Sequence, residues 1–310
     1  MESFTLATRG GKLALAQAEI ISNALKRQRP NIQIKIKTVT TKGDLDRRTF
    51  LWKLKSSGFF TSVLEDSLLS GRAGIAVHSF KDLPTQKREG LTIAAVCDRT
   101  FAEDCLIAAK KVRSIHEMPK SATIGTSSLR RMVQIKHLRE DLRAIPVRGN
   151  VTTRIQLVGQ GKYNAVILAR AGIERLGLSG KISFCFDPEQ FIPAPAQGAL
   201  CVQTRDDDNA ASQVVAEIDD KKIRTSTLAE RQVLITMQCG CHAPVGAFAQ
   251  IKNGEIQIHA FIADLEGKNF IKRQIKGPID KAIELAEKIA NDLLNAGGKE
   301  ILEELKTNER

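Results

Sequence analysis

Two cysteines and a histidine stand close together in the segment QCGCHAP, residues 238–244. Cys239 and Cys241 are one residue apart, and His242 follows directly. A thiolate is both a nucleophile and a metal ligand, so the segment could hold a metal, a redox pair or a reactive thiol. A zinc site needs about four ligands, the chain has no CxxC pair, and a CxC disulfide would be strained. We therefore expect no metal site, and both a structural role and a reactive thiolate remain open.

Arginines recur where two predicted strands run into helices. The motifs GTSSLRR (125–131) and RGNVTTR (148–154) each place a turn before a predicted helix. Free N–H groups at a helix N-terminus attract anions, and the fork of an arginine matches a carboxylate. Both turns lie at the carboxyl edge of a predicted parallel sheet, where ligands bind. This pattern predicts an anion pocket, and the alternative is an ordinary serine N-cap beside a solvated basic turn. The arginines concerned are Arg130, Arg131, Arg148 and Arg154.

A carboxylate and a lysine follow another predicted strand, in HSFKDLP (78–84). Asp82 beside Lys81 could be a simple surface ion pair, which is the common fate of such neighbours. In a cationic cleft the carboxylate would stay ionised and could stabilise a developing positive charge. Arg9, in ATRGG (7–11), ends a further predicted strand and is expected to point the same way.

Hydrophobic periodicity predicts the elements that position these residues. Strand patterns at 4–9, 32–39 and 74–79 are linked by segments with helical spacing. The alternation recurs after residue 104, so we predict two α/β units of similar size. The segment PAPAQGALCVQTR (193–205) contains a strand that could return to the first sheet. Beyond residue 222, a helix, a hairpin turning at Asn253-Gly254 and an amphipathic helix predict a small α+β domain.

Composition limits the class of protein. The chain has 310 residues, a length that suits a globular protein of two or three domains. Its net charge is +12. Residues 1–220 hold 33 Lys and Arg against 23 Asp and Glu, and this excess favours an anionic ligand. Aromatic residues make up only 5%, which argues against a nucleic-acid partner. No apolar run reaches a membrane span and the N-terminus lacks a signal pattern, so we expect a cytoplasmic protein without a membrane partner.

Seven motifs stand in order along nearly the whole chain: TRGGKLAL, AVHSFKDLP, GTSSLRR, RGNVTTR, ILARAGIERLGL, PAPAQGAL and CGCHAPVG. Together they resemble the porphobilinogen deaminase family. The resemblance implies two periplasmic-binding-protein-like α/β lobes plus a small C-terminal α+β domain, in a monomer. The expected domains are residues 1–98 with 198–217, residues 103–192, and residues 221–310.

The resemblance also implies an activity. Enzymes of this family deaminate four porphobilinogen units, join them head to tail onto a covalent dipyrromethane cofactor, and hydrolyse the chain to linear 1-hydroxymethylbilane. The cofactor is held by a thioether, and Cys241 stands at the attachment position of CGCHAPVG, which resolves the alternatives left open for QCGCHAP. Each pyrrole carries an acetate and a propionate, so the substrate would account for the basic residues.

Particular residues match functional positions of the family. Asp82 matches the catalytic carboxylate. The residues that match cofactor-binding positions are Cys241, Lys81, Arg131, Arg154, Ser128 and Thr126. The residues that match substrate-binding positions are Arg9, Arg130, Arg148, Ser127, Gln197 and Lys53.

Three positions depart from the family pattern. Gly11 stands where serine is common, Ser57 where a loop lysine is expected, and Arg170 where the residue is usually apolar. The alternative function is that of a two-lobed protein that binds a polycarboxylate without catalysis. The presence of both Asp82 and Cys241 argues against it.

Overall fold

The computed structural model describes residues 2–39, 61–240 and 243–308. Lys53, Ser57, Cys241 and His242, which the sequence singles out, lie outside the described residues. Contacts divide the chain into two compact units. Of the described residues, the first unit holds 2–39, 61–100 and 198–224, and the second holds 101–197 and 225–308.

The first unit begins with the predicted alternation of strands and helices. In chain order its elements are β1 (Ser3–Arg9), α1 (Lys12–Gln28), β2 (Gln33–Val39), α2 (Ser62–Leu69), β3 (Ile75–Ser79) and β4 (Leu91–Cys97). A single 3-10 turn, Phe80–Asp82, follows β3 directly. Helix α1 packs on the sheet because Ala18, Ile21 and Leu25 recur at helical spacing and are fully buried.

The second unit repeats this alternation. Its first elements are β5 (Asp104–Ala108), β6 (Thr123–Gly125), α3 (Leu129–Leu138), β7 (Arg143–Ile145), α4 (Val151–Gly159), β8 (Ala165–Ala169), α5 (Arg170–Arg175) and β9 (Phe184–Cys185). The strand predicted within 193–205 is β10 (Leu200–Arg205), and α6 (Asn209–Ala216) follows it. As predicted, β10 returns to the first sheet, where it pairs antiparallel with β3 and β4.

The two five-stranded sheets have equivalent strand orders, β2-β1-β3-β10-β4 and β7-β6-β8-β5-β9. In each sheet the first three strands run parallel and the fourth runs antiparallel to its neighbours. The carboxyl ends of the parallel strands therefore share one edge within each sheet. The turns at these edges carry most of the predicted site residues.

The C-terminal region is built on a three-stranded antiparallel sheet. Its elements are α7 (Lys221–Thr236), β11 (Val245–Lys252), β12 (Glu255–Ala263), β13 (Phe270–Pro278), α8 (Ala282–Leu293) and α9 (Lys299–Asn308). The predicted hairpin turns at Asn253 and Gly254, whose φ angles of 53° and 79° suit a type I′ turn. One face of the sheet buries Ile258 against Val233 and Ile289 of the flanking helices.

The predicted fold class, two α/β lobes and a small C-terminal α+β domain, is confirmed. Contacts group residues 101–197 with the C-terminal region, so the three domain boundaries stay a prediction. Within the described ranges, no helix is both long enough and apolar enough to cross a membrane.

One histidine of the first unit is buried within the sheet. His78 lies in β3 with 5% of its surface exposed. Burial lowers the pKa of its imidazole to about 4, although the nearby Gln203 side chain opposes part of this shift. The folded protein therefore holds a neutral imidazole where the unfolded chain would bind a proton.

We expect His78→Gln to lose less stability than the parent protein on acidification. An unfolded histidine has a pKa of about 6.5, so the parent loses stability as the pH falls from that value towards the folded pKa of about 4. A shift of this size corresponds to roughly 3 kcal/mol. Urea unfolding at both ends of this window measures the difference, and the exposed His116→Gln is the control. Equal acid losses in the parent and His78→Gln would contradict this account.

Candidate functional site

A serine hydroxyl ties together the two arginine-bearing turns of the second unit. Ser127 Oγ donates to Val147 O at 2.6 Å and accepts from Val147 N at 3.2 Å. Thr126 is fully buried and its hydroxyl accepts from Ser128 N at 3.3 Å. Ser128 is the N-cap of α3 and makes no side-chain capping bond, so the helix does not use its hydroxyl.

The second turn holds Arg154 against its own backbone. Asn150 caps α4, and its Oδ1 accepts from Thr153 N at 2.9 Å. Gly149 has a φ of 103°, and a Cβ there would lie 2.7 Å from Thr153 Cγ2. Arg154 Nε donates to Gly149 O at 2.8 Å. The position therefore requires glycine, and the glycine carbonyl fixes one side of the guanidinium.

Arg131, Arg148 and Arg154 form a cationic cluster. Burial, and after it the positive charges of Arg131 and Arg148, lower the pKa of Arg154 to about 10. Among the described residues, Nη1 and Nη2 of Arg154 have no hydrogen-bond acceptor. A bound anion would relieve this repulsion and supply acceptors, which favours the anion pocket over a solvated basic turn.

Asp104, which sequence reasoning missed, is the carboxylate of this site. It begins β5 and is fully buried. It forms ion pairs with Arg131 Nη2 at 2.7 Å and Arg130 Nη2 at 2.8 Å. Burial acts to raise the pKa of Asp104, but the charges of Arg130 and Arg131 outweigh it and hold the pKa well below its usual range. The one available signal was an acidic residue at the start of an otherwise apolar strand.

Arg130 and Gln197 also converge on Asp104. Burial lowers the pKa of Arg130 to about 10, against the opposing effect of Asp104. Arg130 Nη1 donates to Ile192 O at 2.8 Å. Gln197 is fully buried, and its Nε2 donates to Asp104 Oδ1 at 2.9 Å and to Ala102 O at 2.8 Å.

In the first unit, the 3-10 turn presents Asp82 to solvent at the end of β3. Phe80 anchors the turn, because its ring is fully buried and its N–H donates to Ala199 O at 3.0 Å. Gln17 of α1 donates from Nε2 to Ser79 Oγ at 2.9 Å, just before the turn. The carboxylate is thus exposed on a backbone that is fixed from two sides.

The neighbouring first-unit residues lie where the sequence places them. Arg9 ends β1, and Lys81 stands within the 3-10 turn, and both are partly buried. Gly11 is the exposed N-cap of α1, and a Cβ there would meet no heavy atom within 4 Å. The serine that is common in the family would therefore fit at this position.

Arg170 is paired with carboxylates. It bonds to Glu103 at 2.8 Å and Glu174 at 2.9 Å, and its Cζ lies 3.8 Å from the centre of the Phe101 ring. Burial alone would lower the pKa of Arg170, but the bonds to Glu174 and Glu103 outweigh it and raise the pKa. The arginine at this position, where the family usually has an apolar residue, therefore does not add an unbalanced positive charge that could bind a ligand.

The cysteine segment is only partly described. Cys239 is half-buried and packs against the core of the C-terminal sheet, whereas Cys241 lies outside the described residues, as Lys53 does. Within the described parts of the chain, no group of three or more His, Cys, Asp and Glu side chains could hold a metal ion.

Two family models match the chain in order. The model described as "Porphobilinogen deaminase, dipyromethane cofactor binding domain" matches residues 4–213, and "Porphobilinogen deaminase, C-terminal domain" matches residues 225–295. The chain belongs to the porphobilinogen deaminase family. The first match includes Asp82, Asp104 and the arginine turns.

Curated relatives agree over almost the full length. A porphobilinogen deaminase of Maridesulfovibrio salexigens is 38% identical over 303 residues, which cover 98% of this chain and 98% of the relative. That of Deinococcus radiodurans is 37% identical over 305 residues, with 98% and 99% covered. A solved structure of the methionine binding protein MetQ aligns with 70% of this chain and 89% of its own, at 11% identity and a TM-score of 0.43.

We expect Gly149→Ala to destabilise the protein more than Gly161→Ala. Both glycines have positive φ angles, 103° and 74°, so each alanine incurs a penalty of about 1–2 kcal/mol. Only at position 149 would the new Cβ also meet Thr153, because nothing lies within 4 Å at position 161. Urea unfolding of the two variants measures the additional loss. Equal losses would show that the turn beside Arg154 accommodates the methyl group.

Proposed function

We propose that this chain catalyses the porphobilinogen deaminase reaction. It joins four porphobilinogen molecules head to tail, releases one ammonia for each, and hydrolyses the product to linear 1-hydroxymethylbilane. The observation that carries this proposal is the match of both family models in order, with relatives of the same name that cover 98% of the chain. A two-lobed binding protein without catalysis is not favoured.

The cationic cluster of Arg131, Arg148 and Arg154 supports the choice of substrate. Each porphobilinogen carries an acetate and a propionate, and a guanidinium binds a carboxylate through two parallel hydrogen bonds. Arg154 is fixed through Nε, which leaves both Nη atoms for such a ligand. The pKa of Arg154 is lowered by burial and then by the positive charges of Arg131 and Arg148. A bound carboxylate would therefore relieve the repulsion among these three guanidinium groups.

We propose dipyrromethane as the resident cofactor, attached by a thioether to Cys241. The same cluster tests the fit, because the positive charges of Arg131 and Arg148 act on Arg154, whose Nη atoms suit the carboxylates of a dipyrrole. When bound, the cofactor supplies the pyrrole carbon to which the first substrate unit is joined. Arg131, Arg154 and Ser128 would hold its carboxylates. Thr126 belongs to the same turn, and Lys81 is assigned by the family motif.

Asp82 is the proposed catalytic carboxylate. It is exposed, so a substrate can reach it, and the anchored 3-10 turn limits its movement. Its negative charge would stabilise the positive charge that develops on the substrate pyrrole as ammonia leaves, and it would accept from pyrrole N–H groups. A fixed charge of this kind acts mainly on the transition state.

The remaining assignments are proposals of the same kind. Arg9, Arg148 and Lys53 are assigned to direct contact with substrate carboxylates. The family motifs also assign Ser127, Gln197 and Arg130 to the substrate, although their observed bonds to Val147 and Asp104 favour a supporting role. We further propose that the protein is a cytoplasmic monomer.

We expect the purified protein to carry a covalent adduct on Cys241. Intact mass spectrometry should show the added mass of two pyrrole units, and peptide mapping should place it in CGCHAPVG. Cys241→Ala should lack the adduct, and Cys239→Ala is the matched control, because Cys239 packs against the core. Absence of any adduct on active parent protein, or an adduct that survives in Cys241→Ala, would refute the attachment.

We expect Asp82→Asn to fold normally and to turn over porphobilinogen about 10²–10³ times more slowly than the parent. The amide keeps an acceptor but loses the charge. Release of ammonia and consumption of porphobilinogen measure the rate. Asp207→Asn, whose side chain is 80% exposed in the same unit, controls for the change in net charge. Turnover of Asp82→Asn at the parent rate would reject the catalytic assignment.

A further inference from the structure

Asp104 joins the two adjacent arginines of α3. Its Oδ1 accepts from Arg131 Nε at 3.1 Å and from Arg131 Nη2 at 2.7 Å. Its Oδ2 lies 2.8 Å from Arg130 Nη2. Gln197 Nε2 donates to Oδ1 at 2.9 Å, and the carboxylate has no exposed surface. A carboxylate enclosed by donors in this way is not available to a substrate.

Arg130 is directed into the protein interior. Its side chain is 4% exposed, and its Nη1 donates to Ile192 O at 2.8 Å. Gln134 holds the backbone of the same residue, because its Oε1 accepts from Ile192 N at 2.7 Å and its Nε2 donates to Ile192 O at 3.1 Å. A ligand could reach this guanidinium only after the buried contacts around Ile192 had separated.

Arg131, the next residue, is also buried, with 6% of its surface exposed, but unlike Arg130 it lies near Arg154. Two of its nitrogens bond to Asp104, and its Nη1 donates to Ile167 O at 3.1 Å, so the plane of its guanidinium is fixed. Its charge nevertheless acts on Arg154, whose pKa it lowers after the effect of burial. Arg131 therefore belongs both to the Asp104 group and to the cationic cluster.

We propose that Asp104 is a positioning residue of the anion site, which fixes Arg131 for ligand carboxylates and uses Arg130 as a buried counter-ion that does not contact porphobilinogen. The proposal rests on the function proposed above and reassigns Arg130 from substrate binding to support. Gln197 has the same supporting role, because its amide connects Asp104 to the backbone at Ala102.

A pair of lysine variants, Arg130→Lys and Arg148→Lys, distinguishes a supporting role from direct contact with the substrate. The family motifs assign both arginines to the substrate, so only their observed roles should make the two variants differ. Lysine keeps the charge and loses the planar fork in each case. Intact mass gives the fraction of purified protein that carries adduct, and steady-state kinetics of that fraction give kcat and KM. We expect Arg148→Lys to raise KM for porphobilinogen roughly tenfold. We expect Arg130→Lys to lower the urea midpoint and the adduct fraction, while KM of the loaded fraction shifts by less than about twofold.

Asp104→Asn tests the carboxylate itself. We expect this variant to be purified largely without adduct and with a lower urea midpoint, because two buried guanidiniums lose their anion. Poor folding alone could produce that result, so the double variant Asp104→Asn/Arg130→Met removes one buried charge of each sign. We expect it to regain the urea midpoint and part of the adduct, whereas Asp104→Asn/Arg148→Met regains neither.

The outcomes separate this inference from the proposed function. A rise in KM for Arg130→Lys equal to that for Arg148→Lys overturns the inference, as does an Asp104→Asn protein with full adduct and unchanged KM. Equal recovery by both double variants also overturns it, since the effect would then be one of net charge. If the unsubstituted protein neither carries adduct nor consumes porphobilinogen, the proposed function fails and this inference falls with it.

Discussion

The burial of several guanidinium groups beside one carboxylate is the constraint on which the second unit depends. Removing an ion from water costs several kcal/mol unless a partner offsets the loss. Asp104 offsets it for Arg130 and Arg131 at once, with ion pairs of 2.8 Å and 2.7 Å. The single negative charge of Asp104 balances only one of these two positive charges. A net positive charge remains, and Arg148 and Arg154 add to it. The folded chain thus holds several guanidinium groups near one edge of a sheet, and the proposed anion site rests on this arrangement.

The topology determines where these charges can stand. In both five-stranded sheets, three parallel strands end at one edge, and short turns follow those ends. The first unit places a carboxylate after β3, on a turn anchored by Phe80. The second unit places arginines after β6 and β7 and joins the two turns through Ser127. The two sheets therefore have equivalent strand orders but carry different functional side chains, a carboxylate in one and arginines in the other. Function depends on the turn residues rather than on the fold.

The sequence predicts much of this arrangement from local patterns. Strands such as β8 (Ala165–Ala169) and the hairpin at Asn253-Gly254 were predicted, because apolar runs and turn residues indicate them directly. Strands β4, β5, β9 and β13 are not predicted. LTIAAVC and DCLIA are apolar runs like β8 that the sequence predictions passed over, β9 has two residues, and FIKRQIKGP is rich in basic residues. Asp104 was missed for a different reason. It stands 27 residues from Arg131, and only folding brings the two together.

The arginines of the second unit show why residue type alone does not identify a ligand site. Arg170 has its charge balanced by Glu103 and Glu174, and its pKa is raised against the effect of burial. Arg154 has cationic neighbours instead, which add to the effect of burial and lower its pKa to about 10. The pKa of Arg130 is also lowered to about 10, by burial first and then by the charge of Arg131, but here Asp104 opposes both effects. The direction of a shift is therefore insufficient, and the sign of the neighbouring charge decides whether an arginine still requires an anion.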